Sequence, residues 1–442
     1  MTGRLRRELG LVPLAAVVFF NVSGGPYGIE DVVPAFGPGL ALLLLVLTPL
    51  VWSLPVSLVM SELASAMPDE GGYVTWVRRA FGPFWGFQNA WLTWMYSLVD
   101  MALYPVLFNQ YLAFFVPGLG KGAQWAVSLG VIWSATALNL RGARPVGRVS
   151  ILTGSFILLG FFLLSIAALP HMSHAPWLPF AKGRQGALGA LGVGLSLALW
   201  NYTGWDNAST VQGEVRDASR AYPRALALTL PLVTLGYLLP LGTTLAATDW
   251  NKWHEGGWSD IARALPGAFG PLLAVWLGLA GLLSALSLFN ALLLAYSRVP
   301  LAVADDGLLP PVLARVDARG TPTMAVVASA VCYSMFALLQ LQWLVVADVF
   351  LYALALFLEF GALIALRRRE PGLRGAFRIP LGTAGVTALA ALPMLILLIV
   401  VWLETQDAEF GLPAVLGSLV AIGLGPVAYL LARRFLAQPR QG

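Results

Sequence analysis

Acidic residues recur inside the apolar stretches of this 442-residue chain, and basic ones do not join them. With about 20 apolar residues per stretch, Glu30, Asp31, Glu62, Asp100, Asp206, Asp348 and Glu359 fall within or at the edges of such stretches. A carboxylate at mid-bilayer costs roughly 2.5 to 3.5 kcal/mol on insertion scales, so unpartnered acids there imply that a proton, a metal ion or a cationic ligand supplies positive charge. Asp100 has Tyr104 and Tyr111 on the same helical face. Such a face suits ammonium groups through charge-assisted hydrogen bonds; a protonated, silent Asp100 is the alternative. Asp348, Tyr352 and Glu359 share a narrow angular sector, because their spacing spans nearly three whole turns. Asp348 lies close to an external helix end, where a merely hydrated acid is also reasonable. Glu359 is deeper and suits proton relay or contact with the far end of a long ligand.

The elements that must position these acids are apolar helices. Hydrophobic residues make up 58% of the chain and charged ones 11%, under half the usual charged share, which excludes a soluble domain. About twelve spans are predicted, at residues 12–36, 40–66, 83–115, 124–140, 147–169, 187–209, 226–248, 268–297, 324–342, 344–366, 382–402 and 412–432. Placing both termini in the cytoplasm leaves only Lys121, Lys182, Arg184, Lys252 and Arg263 of the 27 basic residues outside, as the positive-inside rule requires. The net charge of +5 therefore describes loops meeting lipid headgroups, not a nucleic-acid site. A lone Cys332 excludes an intrachain disulfide, and His171, His174 and His254 fall in external loops. No metal centre or cofactor is expected. The first apolar stretch is too long for a signal peptide and runs into acids, so it should remain as the first helix.

Two spans are interrupted at matching places. Asn21-Val22-Ser23-Gly24-Gly25-Pro26-Tyr27-Gly28 puts glycines and a proline at membrane depth, where unpaired backbone is costly unless protein or a water-filled cavity satisfies it. Trp200-Asn201-Tyr202-Thr203-Gly204-Trp205-Asp206-Asn207 repeats the theme five helices later. Paired broken helices point to an inverted-repeat transporter with a midplane site: 12–169 and 187–366 as the repeats, 382–435 as peripheral helices. Close helix packing through small residues would account for the same glycines.

At these residues the chain resembles the amino acid, polyamine and organocation (APC) transporter superfamily. The resemblance is carried by Gly24-Gly25-Pro26-Tyr27-Gly28-Ile29-Glu30-Asp31, by Glu62-Leu63-Ala64 with Pro68 and Gly71-Gly72-Tyr73, and by Asp100-Met101-Ala102-Leu103-Tyr104-Pro105. Gly213-Glu214-Val215, Arg298, Asp306-Gly307-Leu308-Leu309-Pro310 and Thr321-Pro322 add to it. The first and third helices look most like the polyamine-uptake branch related to L-type amino acid transporters.

The resemblance implies a five-plus-five inverted repeat, alternating access, and a substrate held between the unwound parts of helices 1 and 6. It implies amide donors around Ser23, Gly24 and Gly25, and carbonyl acceptors at Asn21, Val22, Trp200 and Thr203, with Tyr27 and Tyr202 nearby. Trp200 matches the family's gating aromatic, although a Trp filling packing space is the plain alternative. Where many proton-coupled relatives carry a Lys on helix 5, the matching residue here is Ser155, which leaves the coupling ion open: a proton, or sodium assisted by Ser284 and Ser287. Asp206 opens the second half of helix 6, and Glu30 and Asp31 that of helix 1; for each, capping and substrate or proton contact both fit. Glu62 and Glu214 sit near cytoplasmic ends and read as gating residues paired with loop arginines. Gly71 to Gly82, with Arg78 and Arg79, resembles an intracellular loop helix of the inner gate; a basic segment lying on headgroups is the alternative.

Taken together, an all-α, multi-pass cell-membrane transporter of small organic cations is expected, taking polyamines or cationic amino acids. A neutral amino acid permease in which the acids are capped is the alternative. A cation channel would also use acidic linings. An ATP-driven pump or a membrane enzyme is disfavoured, since the chain carries no P-loop and no catalytic His or Cys cluster.

Overall fold

The computed structural model describes residues 5–181, 195–196, 198–254, 256–336, 341–406 and 411–436. Lys182, Arg184 and the start of the sixth span lie outside the described residues. The first helix stops where its sequence stops supporting one. α1 (Leu11–Val22) gives way to an unwound stretch before a short α2 (Val32–Phe36). Gly24, Gly25 and Gly28 hold φ of 94°, 101° and 86°, a region that only glycine enters at little cost. In the sixth span the described residues 195–196 and 198–200 are helical; the chain then unwinds and resumes as a 3-10 helix at Asn207–Glu214. Gly204 there has φ 89°, and a Cβ on it would lie 2.1 Å from the Asn21 carbonyl oxygen. The two interruptions therefore touch through backbone.

Around them stand helices whose bounds follow the apolar runs. α3 (Pro38–Thr48) continues through a π-helical turn, Pro49–Ser53, into α4 (Leu54–Ala66). A short amphipathic α5 (Tyr73–Phe81) leads into α6 (Pro83–Leu112), α7 (Lys121–Asn139) and α8 (Ala143–Ala168). The second part holds α9 (Ala218–Ala247), the short α10 (Trp258–Arg263), α11 (Phe269–Tyr296), α12 (Arg298–Asp305), α13 (Thr323–Phe336) and α14 (Leu341–Arg369). α15 (Thr383–Glu404) and α16 (Gly411–Phe435) close the chain. Among the described residues the only β pairing is an isolated bridge of Leu9 with Val215.

Among the described residues, seven helical runs are long and apolar enough by themselves to cross a bilayer. The predicted remainder fall short for physical reasons. α1 and α13 are apolar but short, the sixth span is interrupted, α7 has only 19 residues and carries Lys121, Gln124 and Asn139 at its ends, and α6, though 30 residues long, buries Gln88, Asn89, Thr93, Tyr96, Ser97 and Asp100 along one side. A helix that lines a polar interior loses mean hydropathy without leaving the membrane. Large apolar side chains point outward, among them Leu152, Phe269 and Phe435, each more than 70% exposed. In water such a surface would aggregate; against lipid it is the solvated face. The fold is an all-helical, multi-pass membrane protein.

Contact between the two breaks is testable. Gly204→Ala must both enter a left-handed conformation, about 1 to 2 kcal/mol, and push Asn21 aside. Gly307, with φ 74° and open space around it, meets only the first cost. Thermal unfolding in detergent should show Gly204→Ala losing over about 3 kcal/mol and Gly307→Ala no more than about 2; equal losses would contradict the contact.

Candidate functional site

The breaks open onto a cavity. The first contributes Asn21, Val22, Ser23, Gly25 and Tyr27, and the second Trp200, Asn201, Thr203, Gly204 and Asn207. α6 adds Tyr96, Asp100, Tyr104 and Tyr111, α11 adds Ser284, Leu288 and Tyr296, and α14 adds Asp348 and Tyr352. Among the described residues no Lys or Arg lines it. About 580 Å³ lies between the lining atoms, yet only about 30 Å³ of it admits the centre of a water molecule. That is room for one or two waters, so an organic ligand enters only when a wall moves.

Asp100 is the most heavily partnered acid on the cavity. Its Oδ1 accepts the Tyr104 hydroxyl at 2.5 Å and its Oδ2 the Tyr296 hydroxyl at 2.7 Å. Tyr296 also accepts from the Asn207 amide at 3.1 Å, and Asn207 accepts the Tyr96 hydroxyl at 2.8 Å. Hydroxyls share a negative charge without cancelling it, so the carboxylate keeps acceptor sites for a cation. The Trp200 ring lies against that of Tyr104, 27° from parallel with centroids 6.4 Å apart.

Unwound backbone is satisfied by side chains from other helices. Gly24 O accepts the Ser284 hydroxyl at 2.6 Å, and Pro26 O the Trp258 indole at 2.7 Å. Asn201 O accepts from Tyr237 at 2.8 Å, Tyr202 O from Trp52 at 2.9 Å and Trp205 O from Tyr222 at 3.0 Å. The Gly25 N–H donates to Ser23 Oγ. With its amide oriented by its neighbours, Asn21 donates to Val17 O and accepts the Ala208 N–H.

Several expected site residues sit elsewhere. Glu30 is buried and turns its Oε2 to the Gly28 N–H at 2.8 Å; it holds the break's backbone and does not line the cavity. Tyr202 points away, its hydroxyl donating to Leu45 O. Ser155 is a correction: it is exposed on the outside of α8, because helical phase turns Gly154 and Ile157 inward instead. Ser287 meets Thr153 at 2.9 Å. Asp206 lies behind the wall, its Oδ1 accepting the Tyr352 hydroxyl at 2.6 Å, with no capping bond of its own. Glu359 is fully buried with the Asn89 amide at 3.3 Å. Asp348, for which hydration at a helix end is one reading of the sequence, is buried and lines the cavity. Sequence spacing also passes over Asn207 and Tyr296, whose roles arise from contacts across distant helices.

Charge pairing separates two of the acids from the rest. Glu62 does have a basic partner: Arg367 grips it in a fork, Nε to Oε1 at 2.7 Å, and the Ile379 N–H joins at 2.9 Å. Glu214 pairs likewise with the fully buried Arg298 at 2.8 Å. Arg78 pairs with Asp306, Arg79 with Glu370, and Arg369 bonds Ala80 O, so α5 is pinned to its surroundings. Beside these pairs, burial first and then Asp305 and Glu214 push the Glu70 carboxyl up to about 7, against the pull of Arg298.

Residues 9–423 match the family model described as "Amino acid permease". Polyamine transporter PUT1 of Oryza sativa subsp. japonica is 38% identical over 437 residues, covering 98% of this chain and 80% of that protein. Polyamine transporter RMV1 of Arabidopsis thaliana is 36% identical over 424 residues, covering 95% and 84%.

Two outcomes follow from the charged end. Glu214→Gln strands a buried guanidinium and should destabilise by about 3 to 5 kcal/mol, whereas Glu214→Leu with Arg298→Met should recover most of that in the same unfolding assay. Glu70 binds its proton more tightly in the folded state, so stability falls as pH rises from roughly 4.5 to 7. Glu70→Gln should flatten the fall in melting temperature across that window; an unchanged slope would rule Glu70 out as its source.

Proposed function

The chain belongs to the amino acid permease family of the APC superfamily, and from that premise we propose that it carries small organic cations, polyamines first among them. It is a transport protein and not an enzyme. One observation carries the substrate reading: a cavity between two broken helices is lined by carboxylates and aromatic rings and, among the described residues, by no basic side chain. An amino acid carboxylate entering it would meet Asp100 and Asp348 without a compensating cation, whereas an ammonium finds charge and ring faces. The similarity to proteins named polyamine transporters points the same way.

Asp100, Tyr104, Trp200 and Thr203 are assigned to substrate, with the backbone at Asn21 to Gly25. Trp200 gates, since the cavity as it stands is too tight for a linear amine. Coupling is assigned to protons: Asp206 and Glu359 each have only a neutral hydrogen-bond partner, whereas Ser284 and Ser287 donate to Gly24 and Thr153. Residues 12–169 and 187–366 are taken as the inverted repeats, 382–435 as peripheral. Both termini are placed on the cytoplasmic side of the cell membrane, with Glu62 and Glu214 at the inner gate.

Uptake into proteoliposomes tests this reading. Putrescine or spermidine should displace labelled amine, and leucine or alanine should not. Asp100→Asn should weaken amine binding by about tenfold or more, the loss of one charge-assisted bond. Competition by leucine alone would transfer the assignment to neutral amino acids.

A further inference from the structure

On the reading just given, that the cargo is an organic cation, the geometry points to Asp348 as a second ammonium anchor that selects linear di- and triamines over monoamines. Asp348 is 3% exposed and lines the cavity. Its Oδ1 has no hydrogen-bond partner among the described residues. A buried carboxylate oxygen left in that state is costly unless something arrives to meet it.

The other acids nearby differ in this respect. Asp100 already takes two tyrosine hydroxyls, and Asp206 stands behind Tyr352. Tyr352 follows Asp348 by one helical turn and lines the same cavity, so the face of α14 that bears both is turned inward. The charged groups that act on Asp348 are Asp100 and Asp206, both acidic. A single ammonium bound at Asp100 leaves Asp348 uncompensated. A diamine answers both carboxylates, and its methylene chain can lie against the Tyr104 and Trp200 rings that line the same cavity.

The experiment compares wild type, Asp348→Asn and Asp348→Glu in proteoliposomes, with putrescine and spermidine as substrates and butylamine as competitor. Asp348→Asn should raise KM for putrescine and spermidine about tenfold or more, as expected for one lost charge-assisted bond, and leave butylamine inhibition within about twofold. Asp348→Glu should restore part of the diamine affinity. If Asp348→Asn fails to fold, a changed putrescine-to-butylamine preference in Asp348→Glu supports the anchor, and an unchanged preference overturns it. Wild-type KM in Asp348→Asn, or an equal loss for mono- and diamines, also overturns it. Wild-type protein that takes up no amine would instead sink the proposed function.

Discussion

Backbone that leaves the helix inside a bilayer must find hydrogen-bond partners, and here aromatic side chains provide most of them. The carbonyls of Pro26, Asn201, Tyr202 and Trp205 accept from Trp258, Tyr237, Trp52 and Tyr222. Each carbonyl left alone in hydrocarbon would cost several kcal/mol. Two unwound segments can therefore persist side by side only because α10, α9 and the π-helical turn before α4 hold donors against them. The cavity is a consequence of that arrangement, since regular helices passing through the same places would bring side chains where backbone now lies.

The acids divide by what answers their charge. At one end Glu62 and Glu214 are gripped by Arg367 and Arg298, so their charge is answered within the protein. Around the cavity the side-chain donors described for Asp100, Asp206 and Glu359 are neutral: tyrosine hydroxyls, the Asn89 amide and, at Asp100, the Trp200 indole. Neutral donors stabilise a carboxylate geometrically while leaving its net charge for a cation. The same residue type thus does two jobs, and burial alone does not separate them.

Local chemistry makes the breaks legible in the sequence, because glycine pairs and a proline at membrane depth interrupt a helix wherever they fall. Asp100 is legible too, through its spacing to Tyr104. Partners are not, because Tyr296 reaches Asp100 across 196 positions and Arg367 reaches Glu62 across 305. No local periodicity encodes such pairs. Ser155 shows a subtler limit: alignment to a family position is sensitive to one residue of register, and one residue is about 100° of helical phase. Asp348 escapes a reading of its own helix for a related reason, since depth counted along α14 says nothing of the helices packed over it, and those set its burial.

The ion pairs also differ in how hard they are to part. Arg78 with Asp306 and Arg79 with Glu370 are partly exposed, 20% to 44% across the four side chains, and such pairs contribute about 0 to 1 kcal/mol each. Glu62 with Arg367 and Glu214 with Arg298 are at most 8% exposed, and separating them would strand charges at about 3 to 5 kcal/mol. Any rearrangement that widens the cavity toward this end therefore costs less in ion pairing along α5, whose two salt bridges are partly exposed, than where the buried pairs keep α4 joined to α14 and the end of the sixth span joined to α12. This end is thus divided by energetics into joints that hold and joints that yield, a division drawn by burial and not by the number of charges.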